Sequence, residues 1–96
     1  MVEIMKYTVR FSTSFKKSFK KCMRRGYDEN IFQQALYILM EEGRLPSKYK
    51  PHVLQGDWNG FWECHLTPDW LLIWEQNEKE LTLYFMDTGT HSDLFK

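Results

Sequence analysis

The C-terminal part of the chain contains three apolar segments joined by short polar connections, and this pattern constrains the fold more than any other feature. The segments are "FWECHL" (61–66), "WLLIWEQ" (70–76) and "LTLYFMD" (81–87), and they are separated by three and by four residues. Connections this short join antiparallel strands, because parallel strands need a crossover of about a dozen residues or more. The pattern therefore predicts a three-stranded antiparallel meander.

The N-terminal half predicts one strand followed by two helices. The segment "KYTVRF" (6–11) alternates apolar and polar residues, as a half-buried strand does. One apolar stripe at helical spacing then runs from Phe15 to Met23, and a second runs from Ile31 to Met40. Gly26 and Gly43 can each end a helix. The short link between the two helices favours an antiparallel helical hairpin packed on the sheet.

The element order is therefore β-α-α-β-β-β, which predicts an α+β fold with the helical hairpin on one face of the sheet. The length predicts a single domain spanning residues 1–96. Residues 45–60 contain two prolines and two glycines and follow neither period, so they are predicted to form a loop. Such a loop can carry functional residues.

The net charge is zero, but the charges are unevenly distributed along the chain. Residues 1–25 hold eight Lys or Arg and one Glu, whereas residues 51–96 hold two Lys and eight acidic residues. A basic helix face suits a phosphate backbone or an acidic partner segment, and a plain solvated surface is the alternative interpretation. The basic residues of the first predicted helix are Lys16, Lys17, Lys20, Lys21, Arg24 and Arg25.

No segment has the composition of a membrane span or a signal peptide. The longest apolar run is Ala35–Met40, far below the ~18–20 residues that cross a bilayer. Glu3 and Lys6 interrupt the N-terminus before a signal-like stretch develops, so a cytoplasmic location is expected. Cys22 and Cys64 do not form a Cys-x-x-Cys pattern and are interpreted as small buried hydrophobic residues.

All three histidines occur in the second half of the chain and are candidate proton-transfer groups. His52 lies in the predicted loop, His65 lies near the end of the first meander strand, and His91 follows the last strand. Asp69 occupies the turn after His65, so a meander places these two residues close together. His65 could alternatively be a core histidine satisfied by Glu63.

The segment "TGTHSDLF" (88–95) predicts a short terminal helix that presents a histidine. Gly89 permits a tight reversal after the last strand, and Thr90 and Asp93 have the spacing of a capping box. His91 then lies in the first turn of this helix. Phe95 lies one turn later and could stack on a base, or could simply pack the C-terminus onto the sheet.

Two long segments resemble the YafQ branch of the RelE family of bacterial toxins. They are "HVLQGDWNGFWECHLTPDWLLIW" (52–74) and "DTGTHSDLF" (87–95). They carry the family's His-x-Leu-x-Gly-x-Trp, His-x-x-Pro-Asp-Trp and Thr-Gly-Thr-His-x-x-Leu-Phe motifs, and the start of the chain matches in outline. The resemblance implies a RelE-like fold and a type II toxin that acts as a ribosome-dependent endoribonuclease on translated mRNA.

The resemblance also implies the partners of the chain. It predicts an antitoxin encoded by a neighbouring gene, a toxin–antitoxin hetero-oligomer, contact with the ribosome and mRNA, and no membrane association or cofactor. The basic face of the first helix is expected to make most of the contact with ribosomal RNA.

The family motifs assign catalytic roles to His52, His65, Asp69 and His91, and a substrate-binding role to Phe95. Metal-free RNA cleavage needs a base for the 2′-hydroxyl, an acid for the leaving 5′ oxygen and positive charge near the phosphate. His91 is predicted to be the general acid. His65 or His52 is predicted to be the base or a phosphate contact, with Asp69 orienting an imidazole or sharing the proton transfer.

Two residues depart from the family pattern, because Asp87 and Trp62 occupy positions where relatives have arginine. Lys48 and Lys50 are predicted to contact the substrate in their place, and a protonated histidine is the alternative. The departures leave open a second hypothesis, a protein of this fold that binds antitoxin or RNA without cleavage. A third hypothesis, a zinc site of three histidines and Asp69, is disfavoured because no His-x-x-x-His spacing exists.

Overall fold

The structure is a computed structural model of the chain and describes residues 5–95, so residues 1–4 and 96 of the predicted domain lie outside the described residues. The element order matches the predicted α+β fold. The strands and helices are β1 (Thr8–Phe11), α1 (Thr13–Arg24), α2 (Glu29–Glu42), β2 (His52–Val53), β3 (Trp62–Thr67), β4 (Trp70–Asn77), β5 (Thr82–Gly89) and α3 (His91–Leu94).

The strands form one five-stranded sheet in the order β1-β5-β4-β3-β2. The antiparallel pairs β3–β4 and β4–β5 confirm the predicted meander. β1 lies beside β5 and runs parallel to it. β2 lies inside the segment predicted to be a loop and pairs with β3. The same segment contains 3-10 helices at Ser47–Tyr49 and Gly56–Trp58. A strand of two residues is too short to show a period, so the sequence gives no sign of β2.

Side-chain caps begin both long helices. The Ser12 hydroxyl accepts a hydrogen bond from the Phe15 amide at 2.9 Å, and the Asp28 carboxylate accepts one from the Asn30 amide at 2.9 Å. Gly43 ends α2 with a φ of 76°, and a Cβ there would collide with the Tyr7 ring. Gly43 is therefore required both by its backbone conformation and by the space available.

The core lies between the helical hairpin and one face of the sheet. Cys22 and Cys64 are buried in it, and burial raises the pKa of both thiols, as expected for small buried hydrophobic residues. Within residues 5–95, no helix is long and apolar enough to span a bilayer. The most deeply buried hydrophobic residues of this core are Tyr7, Phe15, Cys22, Phe32, Ala35, Leu39, Cys64, Trp70, Leu72, Trp74, Leu83 and Phe85.

The other face of the sheet, opposite the helical hairpin, is called the open face, and its central side chains, Glu63, Leu71 and Ile73, are nevertheless buried. Strand register places side chains on it in two rows. One row crosses the sheet from His52 through Glu63 and Ile73 to Asp87. The second row runs from His65 through Leu71 to Gly89, and α3 begins two residues beyond Gly89.

Candidate active site

His52 is held at both ring nitrogens. Its Nδ1 lies 2.9 Å from the carbonyl oxygen of Lys50, and its Nε2 lies 3.0 Å from Oε1 of Glu63. A carbonyl oxygen can only accept, and so can an ionised carboxylate. Nδ1 of His52 therefore donates to Lys50, Nε2 faces the Glu63 carboxyl group, and neither ring nitrogen is free.

Glu63 is the buried member of this pair. Its side chain is 7% exposed, and Oε2 has no hydrogen-bond partner among the described residues. The partner of Glu63 is His52, its neighbour across the β2–β3 pair, and not His65. The alternative that Glu63 satisfies His65 is therefore wrong. A buried carboxylate depends on its partner, because desolvation disfavours the charged form. His52 therefore stabilises the buried carboxyl group of Glu63, and Glu63 in turn orients the His52 ring.

His65 lies beside the two predicted substrate lysines. Lys48, Lys50 and His65 line one cleft of about 240 Å³, together with Leu66, Thr67 and Pro68. The centroid of the His65 ring is 6.5 Å from that of His52. In the described part of the chain, neither nitrogen of His65 is engaged by a hydrogen bond, so this imidazole can accept a proton.

Asp69 lies in the two-residue turn between β3 and β4 and is exposed. Buried hydrogen bonds anchor this turn. The indole Nε1 of Trp70 donates to the Thr88 hydroxyl at 2.9 Å, and that hydroxyl donates to the carbonyl oxygen of Leu71 at 2.7 Å. Residues 5–95 show no hydrogen bond from Asp69 to a histidine, so its orienting role stays a prediction.

The terminal helix α3 has the predicted capping box. The Thr90 hydroxyl accepts from the Asp93 amide at 3.1 Å, and the Asp93 carboxylate accepts from the Thr90 amide at 2.9 Å. The His91 ring is exposed and lies 5.0 Å, between centroids, from the ring of Phe95. The candidate acid and the candidate base-stacking ring are therefore side by side on one helix.

The two departures from the family pattern lie on opposite faces of the sheet. Trp62 stacks on Trp74 with 6.1 Å between ring centroids and packs against the core on the helix-facing side. Asp87 shares the open-face row with Glu63, and its Oδ1 accepts a hydrogen bond from the Thr88 amide at 2.9 Å. Only Asp87 therefore changes the charge of the face that carries the histidines.

The C-terminal end of α1 makes a contact that the sequence did not indicate. Arg25 forms a bidentate ion pair with Asp93, while Lys16, Lys17, Lys20 and Arg24 are exposed. The two residues are 68 positions apart, and no local pattern connects them. The hydrogen bonds that Arg25 donates hold the pKa of Asp93 well below its ordinary value of 3.8, and those with Thr90 contribute less.

The described residues contain no group of three or more His, Cys, Asp or Glu side chains arranged to hold a metal ion. The zinc-site hypothesis therefore finds no ligand set in this part of the chain.

Comparison with known proteins assigns this fold and motif set to a class, the bacterial toxins of type II toxin-antitoxin systems. Within that class the chain belongs to the YafQ family, whose sequence model, described as "Bacterial toxin of type II toxin-antitoxin system, YafQ", matches residues 7–96. Family membership confirms the resemblance that the motifs indicated.

Similar proteins support the same assignment. The mRNA interferase toxin YafQ of Escherichia coli K12 is 36% identical over 88 residues, covering 91% of this chain and 94% of the relative. The crystal structure of YafQ from E. coli BL21(DE3) superposes with a TM-score of 0.86 at 33% identity, covering 94% of this chain and 99% of that one. YafQ in the E. coli DinJ-YafQ toxin-antitoxin complex gives a TM-score of 0.85 at 33% identity, covering 96% and 100% of the two chains.

Proposed function

We propose that the chain is an mRNA interferase, an endoribonuclease that cuts translated mRNA on the ribosome and is neutralised by a cognate antitoxin in a hetero-oligomeric complex. Family membership and the relative named an mRNA interferase toxin support the activity. The DinJ-YafQ complex supports an antitoxin partner. We further propose that residues 1–96 act as one toxin domain in the cytoplasm.

The observation that carries the proposal is the convergence of predicted groups at one side of the open face. His65 and the two lysines line one cleft, and the centroid of the His52 ring is 6.5 Å from that of His65. α3 follows β5, the strand at which the row from His65 through Leu71 to Gly89 ends. This set offers a proton acceptor, positive charge and a second imidazole without needing a metal.

The hydrogen bonds favour one division of roles among the histidines. His65 is the better candidate for the base that takes the proton of the 2′-hydroxyl, because its nitrogens are free and those of His52 are not. His52 is held in place by Lys50 and Glu63 and serves as a phosphate contact. His91 donates a proton to the leaving 5′ oxygen, and Phe95 stacks on an adjacent base.

Lys48 and Lys50 supply the phosphate charge that arginine supplies in relatives. Lys50 has a φ of 50°, a left-handed conformation that ends the 3-10 helix at Ser47–Tyr49. The Lys48 ammonium lies 5.1 Å from the centroid of the buried Tyr49 ring. Both lysines are thus carried on a segment anchored by Tyr49, and both residues line the same cleft as His65.

The test is expression in a bacterial host that lacks the antitoxin, followed by primer extension on a reporter mRNA. Wild type should arrest growth and give cuts at codon-positioned sites, and His91→Ala should abolish both. Lys79→Ala, in the exposed β4–β5 turn, is the matched control and should behave as wild type.

A folded wild-type protein that gives neither arrest nor cuts would reject the nuclease. That outcome would favour the second candidate, a binding protein without cleavage. Asp87 is the observation in its favour, because it adds a second carboxylate to the row that contains Glu63.

A further inference from the structure

Helix α3 is tied to the end of α1 by an ion pair outside the row of histidines. Arg25 Nη1 donates to Asp93 Oδ2 at 2.7 Å, and Arg25 Nη2 donates to Asp93 Oδ1 at 3.2 Å. This is the two-bond geometry in which guanidinium and carboxylate fix each other's orientation. Lys21 lies one turn earlier on α1, with its Nζ 3.9 Å from Asp93 Oδ1.

The same carboxylate also closes the capping box. Asp93 Oδ2 accepts from the Thr90 amide at 2.9 Å while it accepts from Arg25. Gly89 makes room for this arrangement, because a Cβ there would lie 2.8 Å from Asp93 Oδ2. One side chain therefore joins the end of β5, the start of α3 and the end of α1.

A four-residue helix has no stability of its own, since helix nucleation is unfavourable and isolated helices need about 12–15 residues. The direction of α3 is therefore set by what holds it. Its internal bonds are few, including the Phe95 amide to the His91 carbonyl at 2.9 Å. The Arg25–Asp93 pair supplies the tie to a long helix.

We propose that Arg25 and Asp93 are positioning residues for the cleavage reaction, which hold the His91 imidazole and the Phe95 ring against the substrate. This inference rests on the proposed nuclease function. It gives Arg25 a different task from the neighbouring Arg24, which is exposed at the same end of α1 and is free to contact RNA phosphates.

The experiment measures steady-state cleavage of mRNA on programmed ribosomes for Arg25→Ala, Arg25→Lys and Asp93→Asn. Arg25→Ala should lower kcat by about tenfold or more with little change in KM, because small misplacements of catalytic groups cost one to two orders of magnitude. Arg25→Lys keeps the charge but not the two-bond geometry and should recover part of kcat. The double variant Arg25→Ala/Asp93→Asn should be no slower than the slower single variant, since both remove one interaction.

Arg24→Ala is the comparison that separates positioning from charge. It removes one positive charge from the same turn of α1 and should raise KM while leaving kcat unchanged. Arg44→Ala, on the exposed segment after α2, should change neither. Equal KM effects of Arg25→Ala and Arg24→Ala, with kcat intact in both, would overturn the positioning role.

An NMR measurement separates failure of this inference from failure of the proposed function. The ring signals of His91 and Phe95 should shift or broaden in Arg25→Ala and remain as in wild type in Arg24→Ala. A wild type without nuclease activity rejects the function, whereas unchanged ring signals in Arg25→Ala reject the anchoring.

Discussion

At the scale of single residues, His52 has a structural role as well as a chemical one. It is the partner of a carboxylate that is almost fully buried and has no other partner among residues 5–95. Removing one member of such a pair leaves the other desolvated and unpaired, which costs more than the pair contributed. Loss of activity in a His52 variant therefore combines lost chemistry with lost stability.

We expect His52→Ala to lower the free energy of unfolding by about 1–3 kcal/mol, because Glu63 is left buried without a partner. His91→Ala removes an exposed side chain and should change the free energy of unfolding by no more than about 0.5 kcal/mol. Urea unfolding of both variants measures the difference. The double variant His52→Ala/Glu63→Gln should recover part of the loss, since it removes the buried charge. Equal stabilities of the two single variants would show that Glu63 does not need His52.

The motif residues could be predicted from the sequence, but their hydrogen bonds could not. Glycine, threonine and aspartate at fixed spacing predict the α3 cap, because the interaction is local. The partner of His52 depends on β2 pairing with β3, and β2 is two residues long. The Arg25–Asp93 pair depends on α1 packing beside β5, which no local pattern reveals.

At the scale of elements, two glycines at helix ends provide a matched pair. Gly26 and Gly43 have φ values of 87° and 76°, which a residue with a side chain adopts only with strain. They differ in their surroundings. A Cβ on Gly26 would have no atom within 4 Å, whereas one on Gly43 would collide with the Tyr7 ring.

We expect Gly26→Ala to destabilise the fold by about 1–2 kcal/mol, the backbone strain alone. Gly43→Ala should cost about 3 kcal/mol or more, because the Tyr7 ring must also move. Tyr7 is buried and its hydroxyl donates to Glu78 at 2.6 Å, so displacing it also disturbs the start of β1. Thermal unfolding of both variants is the measurement, and equal losses would mean that the Tyr7 ring relaxes freely.

The anchoring of α3 should depend on pH. The pKa of Asp93 is lower in the folded protein than in the unfolded chain, because Arg25 and Thr90 donate to the carboxylate. The stability it contributes is therefore complete above its ordinary pKa and is lost as the pH falls below about 4. Arg25 and Lys21 are the charged groups that face it.

We accordingly expect wild type to be more stable than Asp93→Asn at neutral pH and the difference to shrink near pH 3. Urea unfolding at several pH values tests this. Asp57→Asn, which changes an exposed carboxylate of the second 3-10 helix, is the control and should show no such convergence. A difference that is constant with pH would mean that the charge of Asp93 does not stabilise the fold.

The sequence predicted most elements because their apolar patterns are local. α1 and α2 each bury one stripe, so their apolar residues repeat at helical spacing, whereas Trp70–Trp74 of β4 are buried on both faces and form a continuous apolar run. The position of β1 could not be read in the same way. Its parallel pairing with β5 joins residues more than 70 positions apart, such as Thr8 and Thr82.

At the scale of the whole molecule, the basic residues are concentrated in the N-terminal part of the chain, and many of them lie on α1. Lys16 and Lys20 are exposed on α1 and border a groove lined by phenylalanine rings. Each lysine that binds a phosphate releases counterions, which makes binding dependent on salt.

We expect Lys16→Gln/Lys20→Gln to weaken ribosome binding and to reduce the slope of log affinity against log salt by about 2, because two fewer phosphates are neutralised. Binding to ribosomes measured at several salt concentrations gives this slope. Lys79→Gln is the matched control, because Lys79 lies in the β4–β5 turn and should leave the slope as in wild type. An unchanged slope in the double variant would place the ribosome-binding surface elsewhere.

The pairing of the first strand with the last one has a consequence for biosynthesis. β1 is translated early but has no partner until β5 has left the ribosome, and His91 and Phe95 are translated later still. The sheet therefore closes through a non-local pairing, which forms slowly compared with the helices. The proposed nuclease site is complete only after residues 88–95 have emerged, so a nascent chain that stops short of them cannot cut the message from which it is being read.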